Sequence, residues 1–276
     1  MEKSKEKTLK FYKFEGTGND FIIIDSRLNE PLENPDLLGK ILLDRHFGVG
    51  GDSLLYLEES KNADIKMRVI EIDGTESSMC GNGARCVGAY LSKFFNKDEC
   101  KIETLAGIKN VKKAGENEFE LFMGKMQELG KFLRYSKDET ELKVNLFGLE
   151  MYVVNSSEPH AVIITDNIKK IPINKAIKIA KYKNMFPYGI NVNFVEIESP
   201  SLFYIRTIER GIYGETLACG TGTVASAYVL NKHFNGKNFL TATTKGGKLK
   251  VRITQNGNYL SGPARFIFWG EIQLEV

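Results

Sequence analysis

A short cysteine-glycine motif occurs twice, at nearly the same place in each half of the chain. Residues 77–86 read SSMCGNGARC and residues 216–227 read TLACGTGTVASA. The two cysteines, Cys80 and Cys219, are 139 positions apart in a chain of 276 residues, so their spacing is close to half of the length. The repeat predicts two units of similar structure, each with its cysteine at the same place.

Both motifs lead into a segment that is small or apolar around nearly the whole circumference of a helix. These segments are NGARCVGAYLSKFF and TGTVASAYVLNKHF. A helix without a polar face is buried on all sides, and strand-like segments precede and follow both helices. We therefore predict an α+β fold of two pseudo-symmetric domains, each with a curved mixed β-sheet wrapped around a central helix.

No Pro/Ser-rich linker separates the halves, and the candidate boundary follows the sequence LFMG. We predict an N-terminal domain over residues 1–125 and a C-terminal domain over residues 126–263. Two further helices are predicted, one over DLLGKILLDRHF after Pro35 and one over NKAIKIAKYKN with Asn174 as its N-cap.

Composition and charge exclude several classes of protein. Hydrophobic residues make up 42%, charged residues 26%, and the net charge is +3, which is ordinary for a globular protein and gives no support to nucleic-acid binding. The stretch MEKSKEKTLKF has no apolar core of signal-peptide length, and no apolar run approaches a membrane span. We expect a cytoplasmic protein that contacts neither nucleic acid nor membrane.

The chain has four cysteines, Cys80, Cys86, Cys100 and Cys219. Their spacing lacks the paired C-x2-C of a zinc site, and a reducing compartment disfavours a disulfide framework. We predict no metal site and no cofactor. Cys86 and Cys100 are interpreted as buried side chains without a chemical role.

A cysteine at the start of a helix has a particular electrostatic setting. The first backbone N–H groups of a helix lack partners within it and favour an anion, so a thiol pKa there falls from ~8.5 to roughly 3.5–7.5. Two such thiols on opposite faces of one carbon act as base and acid and invert a stereocentre, while the helix N–H groups hold the substrate carboxylate. The alternative is that both cysteines begin buried helices for packing alone.

Three other classes are open at this point. A thiol redox protein is disfavoured, because its two cysteines normally lie close together, as in C-x-x-C. A non-catalytic amino-acid-binding module needs no activated thiols. A cysteine hydrolase needs a histidine beside one thiol, and His160 is the candidate.

The blocks GTGNDF, DRHFGVGGD, DGTE with CGNGARC, PHAV, and ERG with GETLACGTG resemble, in this order, the diaminopimelate epimerase family. The resemblance covers nearly the whole chain and implies a PLP-independent racemase or epimerase with two catalytic cysteines. It also implies an active site between the two domains and a possible homodimer. In this family the C-terminal strand returns to the first domain, which assigns residues 264–276 to it.

The resemblance further implies roles for individual residues. Cys80 and Cys219 take the two catalytic roles, and Asn19 lines the site. The backbone N–H groups at the two helix starts hold the α-carboxylate; they belong to Gly81, Asn82, Gly220 and Thr221. His160 and Glu209 lie near the α-amino group or the cysteines. Asn191 and Arg210 face the far end of the substrate.

Each of these side chains also has an interpretation without function. Asn19 and Asn191 are typical turn residues. His160 is typical of a hydrogen-bonded core histidine, and Glu209 with Arg210 of a solvated charge pair.

Two glutamates depart from the family pattern. Glu71 in EIDGTE and Glu158 in SSEPH stand where the family usually has asparagine, and ERGIYGET carries one extra residue, with Tyr213 in the added stretch. Asparagine donates to a carboxylate, whereas an ionised glutamate only accepts. We therefore predict a racemase of histidine or another basic amino acid, with Glu71 and Glu158 as substrate-binding residues. The alternative is a diaminopimelate epimerase that converts LL- to meso-diaminopimelate, or acts on lanthionine.

Overall fold

The computed structural model of the chain describes residues 6–30, 34–134 and 139–275. The chain forms two compact units. Unit 1 extends to Leu121 and resumes at Gly262, and unit 2 spans Phe122–Ser261. None of the helices within the described ranges is long and apolar enough to span a membrane.

Unit 1 contains one mixed sheet and two helices. Its strands pair in the order β18-β1-β2-β3-β4-β6-β7-β8, with β5 also paired to β4; β2–β3 and β4–β6 are parallel and the other pairs are antiparallel. The strands are β1 Glu6–Gly16, β2 Asn19–Asp25, β3 Ser53–Glu58, β4 Ile65–Ile70, β5 Glu76–Ser77, β6 Glu99–Thr104, β7 Gly107–Lys113, β8 Glu118–Gly124 and β18 Arg265–Glu275, and the helices are α1 Asp36–Leu42 and α2 Gly81–Phe95.

Unit 2 has the same connectivity. Its strands pair in the order β9-β10-β11-β12-β13-β15-β16-β17, with β14 on β13; β11–β12 and β13–β15 are parallel. The strands are β9 Glu141–Leu146, β10 Leu149–Asn155, β11 Pro159–Ile164, β12 Asn191–Ser199, β13 Leu202–Glu209, β14 Gly214–Thr216, β15 Phe239–Thr244, β16 Gly247–Thr254 and β17 Gly257–Pro263; the α-helices are α3 Ile173–Ala180 and α4 Gly220–His233, and short 3-10 helices span Gly130–Phe132 and Ile168–Lys170.

The two parallel pairs of each unit need a crossover, and a helix supplies each one. Helix α1 connects β2 to β3, as α3 connects β11 to β12. Helix α2 connects the β4–β5 arm to β6, as α4 connects the β13–β14 arm to β15. The two cysteine motifs therefore stand at the same topological position, before the second crossover helix of each unit.

The second crossover helices are buried, as their composition predicts. In α2 every residue from Asn82 to Ser92 is buried, and the helix packs against β1, β2, β6, β7 and β18. Small residues permit this close approach: a Cβ at Gly88 would lie 2.5 Å from Val111 Cγ1 on β7. Helix α4 is buried from Gly222 to Ala227 and packs against β10, β11, β12, β15 and β16. The predicted α+β class, with a sheet around a central helix in each unit, is confirmed.

The first crossover helices differ from the prediction in their ends. Helix α1 ends at Leu42, and a glycine-rich turn follows in place of the predicted continuation through Phe47. Helix α3 begins at Ile173 with Pro172 as its N-cap, so that Asn174 lies inside the helix and the predicted cap is wrong. A proline before a helix lacks the N–H that the helix start leaves unpaired, so it takes this place without loss of a hydrogen bond.

Candidate functional site

Cys80 is the N-cap residue of α2. Its backbone is extended (φ −130°, ψ 116°), and its Sγ accepts a hydrogen bond from the backbone N–H of Gly83 at 3.4 Å. Cys219 has the same role in α4, with φ −117°, ψ 113° and a 3.4 Å hydrogen bond from Gly222 N–H. Sulfur thus replaces the oxygen of an ordinary N-cap side chain, and each motif begins a helix where the sequence places it. The first helical positions after Cys80 are Gly81 and Asn82, and those after Cys219 are Gly220 and Thr221.

Asn19, the first residue of β2, connects Cys80 to the sheet of unit 1. Its Oδ1 lies 3.9 Å from Cys80 Sγ, placed to accept the S–H, and also accepts from Asn82 Nδ2 at 3.3 Å. Its Nδ2 donates to Asp52 Oδ2 at 2.7 Å. Arg45 forms an ion pair with Asp52 at 2.8 Å. The Asn19 amide is therefore held from both sides, with its oxygen toward the sulfur.

Glu71 follows β4, and its carboxylate acts electrostatically on Cys80. Its carboxylate accepts from the hydroxyls of Ser53 (2.9 Å) and Ser77 (2.7 Å). No lysine or arginine within the described residues forms an ion pair with it. Its negative charge is one of the causes that raise the pKa of Cys80. The structure therefore places Glu71 with Cys80, Asn19 and Asn82, a group of four residues that we call the Cys80 site.

Cys219 lies among polar groups of unit 2. Its Sγ is 3.4 Å from Thr221 Oγ1, and the Thr221 carbonyl accepts from Ser156 Oγ at 2.8 Å. The carboxylates of Glu209 and Glu158 act on it electrostatically. We call Cys219, Thr221, Glu209 and Glu158 the Cys219 site.

Arg210 contacts two residues that the sequence analysis singled out, Glu158 and Asn191. Arg210 pairs with Glu158, and its guanidinium lies 5.7 Å from the Phe132 ring centroid. Its backbone N–H donates to Asn191 Oδ1 at 2.9 Å. The Oε1 of Glu209 accepts from Thr216 Oγ1 at 2.6 Å. The charge of Arg210 is thus balanced by the glutamate that departs from the family pattern.

His160 is fully buried in β11. Its Nδ1 is 3.0 Å from Asn193 Nδ2, which can only donate, so the ring proton is on Nε2. Thr207 Oγ1 donates to Asn193 Oδ1 at 2.9 Å, while His160 Nε2 has no hydrogen-bond partner in the part of the chain that the structure describes. His160 is therefore a core histidine with a hydrogen bond at Nδ1 and none at Nε2 among the described residues.

Burial reverses the expected pKa of both thiols. Loss of solvation raises the pKa of Cys80 to about 11 and raises that of Cys219 further. The N–H donors of Gly83 and Gly222 lower the pKa, as a helix start should, but they are outweighed. The expectation of a lowered thiol pKa is therefore wrong for both Cys80 and Cys219.

Two buried polar residues of these sites have no place in the sequence interpretation. Asn193 links His160 to Thr207, and Arg85 is enclosed behind the Cys80 site. Asn193 alternates with Asn191 in the otherwise apolar run INVNFV, and a polar residue in a buried strand is a usable signal. Arg85 is a stronger signal, because it stands inside a helix whose other residues are mostly small and apolar. No group of three or more His, Cys, Asp or Glu side chains in the described part of the chain is arranged to hold a metal ion.

The acid stability of the protein depends on His160. Burial, with a further contribution from the charge of Arg210, lowers the His160 pKa to about 3. The unfolded chain binds this proton near pH 6.5, so the stability that the neutral ring contributes is present above pH 6.5 and lost as the pH falls toward 3, by about 1.4 kcal/mol per pH unit. We expect His160→Gln to flatten the pH dependence of the unfolding free energy between pH 6.5 and 4.5. Urea titrations across this range measure it, with exposed His46→Gln as the control; equal slopes in His160→Gln and the parent would contradict the assignment.

Fold and site together define a class of protein: an α+β chain that uses one sheet-and-helix unit twice, with a cysteine capping the central helix of each. A phenazine biosynthesis PhzC/PhzF protein of Clostridium difficile has the same fold, with a TM-score of 0.71 at 14% identity over 96% of this chain and all of that one.

Several proteins are more similar to this chain in sequence than that structure is. The sequence model of the diaminopimelate epimerase family matches residues 11–129 and 152–267. The diaminopimelate epimerase of Methanocella arvoryzae is 37% identical over 97% of this chain and 98% of its own length, and that of Methanothrix thermoacetophila is 36% identical over 97% of both. The chain belongs to the diaminopimelate epimerase family. It is an isomerase, a PLP-independent amino acid racemase or epimerase.

Proposed function

We propose that the protein converts LL- to meso-diaminopimelate, with Cys80 and Cys219 as the acid–base pair. The observation that supports this most is the equivalent placement of the two sulfurs, each capping a buried helix in a chain whose relatives are named diaminopimelate epimerase. These relatives favour diaminopimelate over the histidine substrate predicted from Glu71 and Glu158.

In the proposed reaction, one cysteine as thiolate removes the proton from the substrate Cα and becomes a thiol. The other thiol delivers its proton to the opposite face of the carbanion and becomes a thiolate. The negative charge that grows on the α-carboxylate is stabilised by the backbone N–H groups at a helix start. The α-ammonium group of the substrate brings a positive charge toward sulfurs whose pKa is raised by burial, which favours the thiolate that the reaction needs.

A histidine or other basic substrate is the second candidate, and Glu71 is the observation in its favour. Among the described residues this carboxylate has only hydroxyl donors, from Ser53 and Ser77, and it acts electrostatically on the pKa of Cys80. An imidazole or ammonium group would suit it better than a carboxylate does. Glu158 supports this candidate less, because its charge is already balanced by Arg210.

Deuterium incorporation at Cα in D2O separates the candidates. We expect exchange with LL-diaminopimelate at least tenfold faster than with L-histidine, L-arginine, L-lysine or L-ornithine. Faster exchange with L-histidine would favour the second candidate, and Glu71→Asn should then reduce it. Absence of exchange with all five amino acids would favour a non-catalytic binding module.

Cytoplasmic location and a homodimer stay predictions. In the described part of the chain β18 pairs only with β1, and it exposes the apolar side chains of Ile267, Phe268 and Trp269. An edge strand with one open side and exposed apolar side chains is a surface that a second copy can cover, which supports the homodimer.

A further inference from the structure

Arg85 is the most unusual buried residue of unit 1. It is 0% exposed and lies in the second turn of α2. Its Nε and Nη1 are buried without a hydrogen-bond partner, and no carboxylate in the described residues forms an ion pair with it. Burial lowers the pKa of Arg85, but a guanidinium remains protonated in proteins. The unit therefore encloses a positive charge without a matching negative one, which is unfavourable for folding.

The contacts that Arg85 does make lead to the Cys80 site. Its Nη2 donates to Asn82 Oδ1 at 2.9 Å and to Thr17 Oγ1 at 3.1 Å. Because the Asn82 oxygen is taken by Arg85, its Nδ2 is directed to Asn19 Oδ1, the same oxygen that faces Cys80 Sγ. Thr17 is buried and has a left-handed φ of 60°, which a β-branched residue rarely adopts. The single nitrogen Nη2 of Arg85 thus contacts both the β1–β2 turn and the start of α2.

We propose that Arg85 is a positioning residue that acts through Cys80: its enclosed positive charge stabilises the Cys80 thiolate when that thiolate forms, and its hydrogen bond orients Asn82 and Asn19 around the sulfur. The inference rests on the proposed role of Cys80. An unpaired charge in a low-dielectric interior acts strongly on a neighbouring ionisable group. A partner carboxylate would cancel this action, which explains why the charge is left uncompensated despite its unfavourable burial.

The other groups that act on the Cys80 pKa are a carboxylate and backbone N–H donors. Glu71 raises its pKa, and the N–H groups of Gly83 and Asn82 lower it. Glu15 interacts electrostatically with Arg85, but its carboxylate is engaged by the Gly18 N–H and by Arg265. Cys86, next to Arg85, has its own pKa raised by burial and stays a neutral thiol. Asp52, which holds Asn19, is paired with Arg45. Arg85 is therefore the cation whose removal should change Cys80.

The test is the pH dependence of Cys80 alkylation by iodoacetamide in the full chain, quantified for the Cys80 peptide by mass spectrometry. Arg85→Gln removes the charge but keeps N–H donors for Thr17 and Asn82. We expect the alkylation rate of its Cys80 at pH 8 to fall at least tenfold, which corresponds to a pKa rise of one unit. Arg85→Lys keeps the charge and should stay within about twofold of the parent.

The matched control is Arg27→Met, which removes the ion pair of Arg27 with buried Asp25 in the same unit. We expect it to lower the thermal stability and to leave Cys80 alkylation unchanged. Equal alkylation rates in Arg85→Gln and the parent would overturn the proposal. If Arg85→Gln does not fold, a tenfold loss in Arg85→Lys would overturn the charge role and parental alkylation would support it. Because this readout needs no substrate, its failure is distinguishable from a wrong substrate assignment.

Discussion

Cys80→Ser and Cys219→Ser are each expected to lower kcat for Cα inversion by roughly 10²- to 10⁴-fold, the range for loss of a general acid or base. A serine hydroxyl preserves the size and the N-cap hydrogen bond of the cysteine. It is a much weaker acid than a thiol, so it neither forms the anion that removes the Cα proton nor returns a proton as readily. The measurement is deuterium incorporation at Cα of the substrate in D2O, together with the rate of loss of optical purity.

Cys100 is the control for this prediction. Cys100 is buried in β6 and is not part of either site, so Cys100→Ala should keep the parental rate. Loss of activity in only one of the two serine variants would argue against a pair of bases. It would favour a mechanism in which a single thiol reacts.

Gly222→Ala is expected to have the largest effect of any single methyl addition at the two motifs. A Cβ at this position would overlap Asn193 Oδ1. Asn193 is buried and held by His160 and Thr207, so it does not move aside without breaking hydrogen bonds. Overpacking together with the loss of a buried hydrogen bond should reduce the unfolding free energy by about 3 kcal/mol. Denaturant titration measures it, and catalysis should fall because a displaced helix start would misplace the backbone N–H of residue 222, which donates to Cys219 Sγ.

The other copy of the motif supplies the matched control. Gly83 is the equivalent position in α2, and a Cβ there would lie 3.0 Å from the end of the Leu55 side chain. An apolar side chain adjusts by rotation, and alanine is the better helix former. We expect Gly83→Ala to change the unfolding free energy by less than about 1.5 kcal/mol. A similar loss in both variants would show that the Asn193 contact is not the cause.

Several features of the fold follow from residues that are close in sequence. The apolar circumference of the segments after Cys80 and Cys219 predicts buried helices, because a helix without a polar face has to be enclosed. The run FIIID predicts a strand, and β2 is indeed buried on both faces, with α1 on one side and α2 on the other. The end of α1 and the cap of α3 were missed, because a proline start and a glycine-rich turn compete with apolar periodicity at helix ends.

The hydrogen-bond and ion-pair partners of the site residues were harder to predict from the sequence. Proximity in sequence suggests a solvated charge pair of Glu209 with Arg210, whereas the structure shows Arg210 paired with Glu158, which is 52 positions away in the chain. The parallel register of β11 and β12, which sets His160 opposite Asn191, brings such residues together. No local pattern encodes that register, so the ion pair is visible only in the folded unit.

That each sulfur caps a helix is predictable from the sequence alone, since N-capping depends on a few consecutive residues and their glycines. How acidic those sulfurs are becomes visible only in the folded chain. Three features set this acidity, and they come from separate parts of the chain. They are the strands that bury Cys80, the carboxylate of Glu71, and the enclosed guanidinium of Arg85. A thiol pKa depends on the solvation and charges that surround the sulfur in space, and these exist only after the chain has folded.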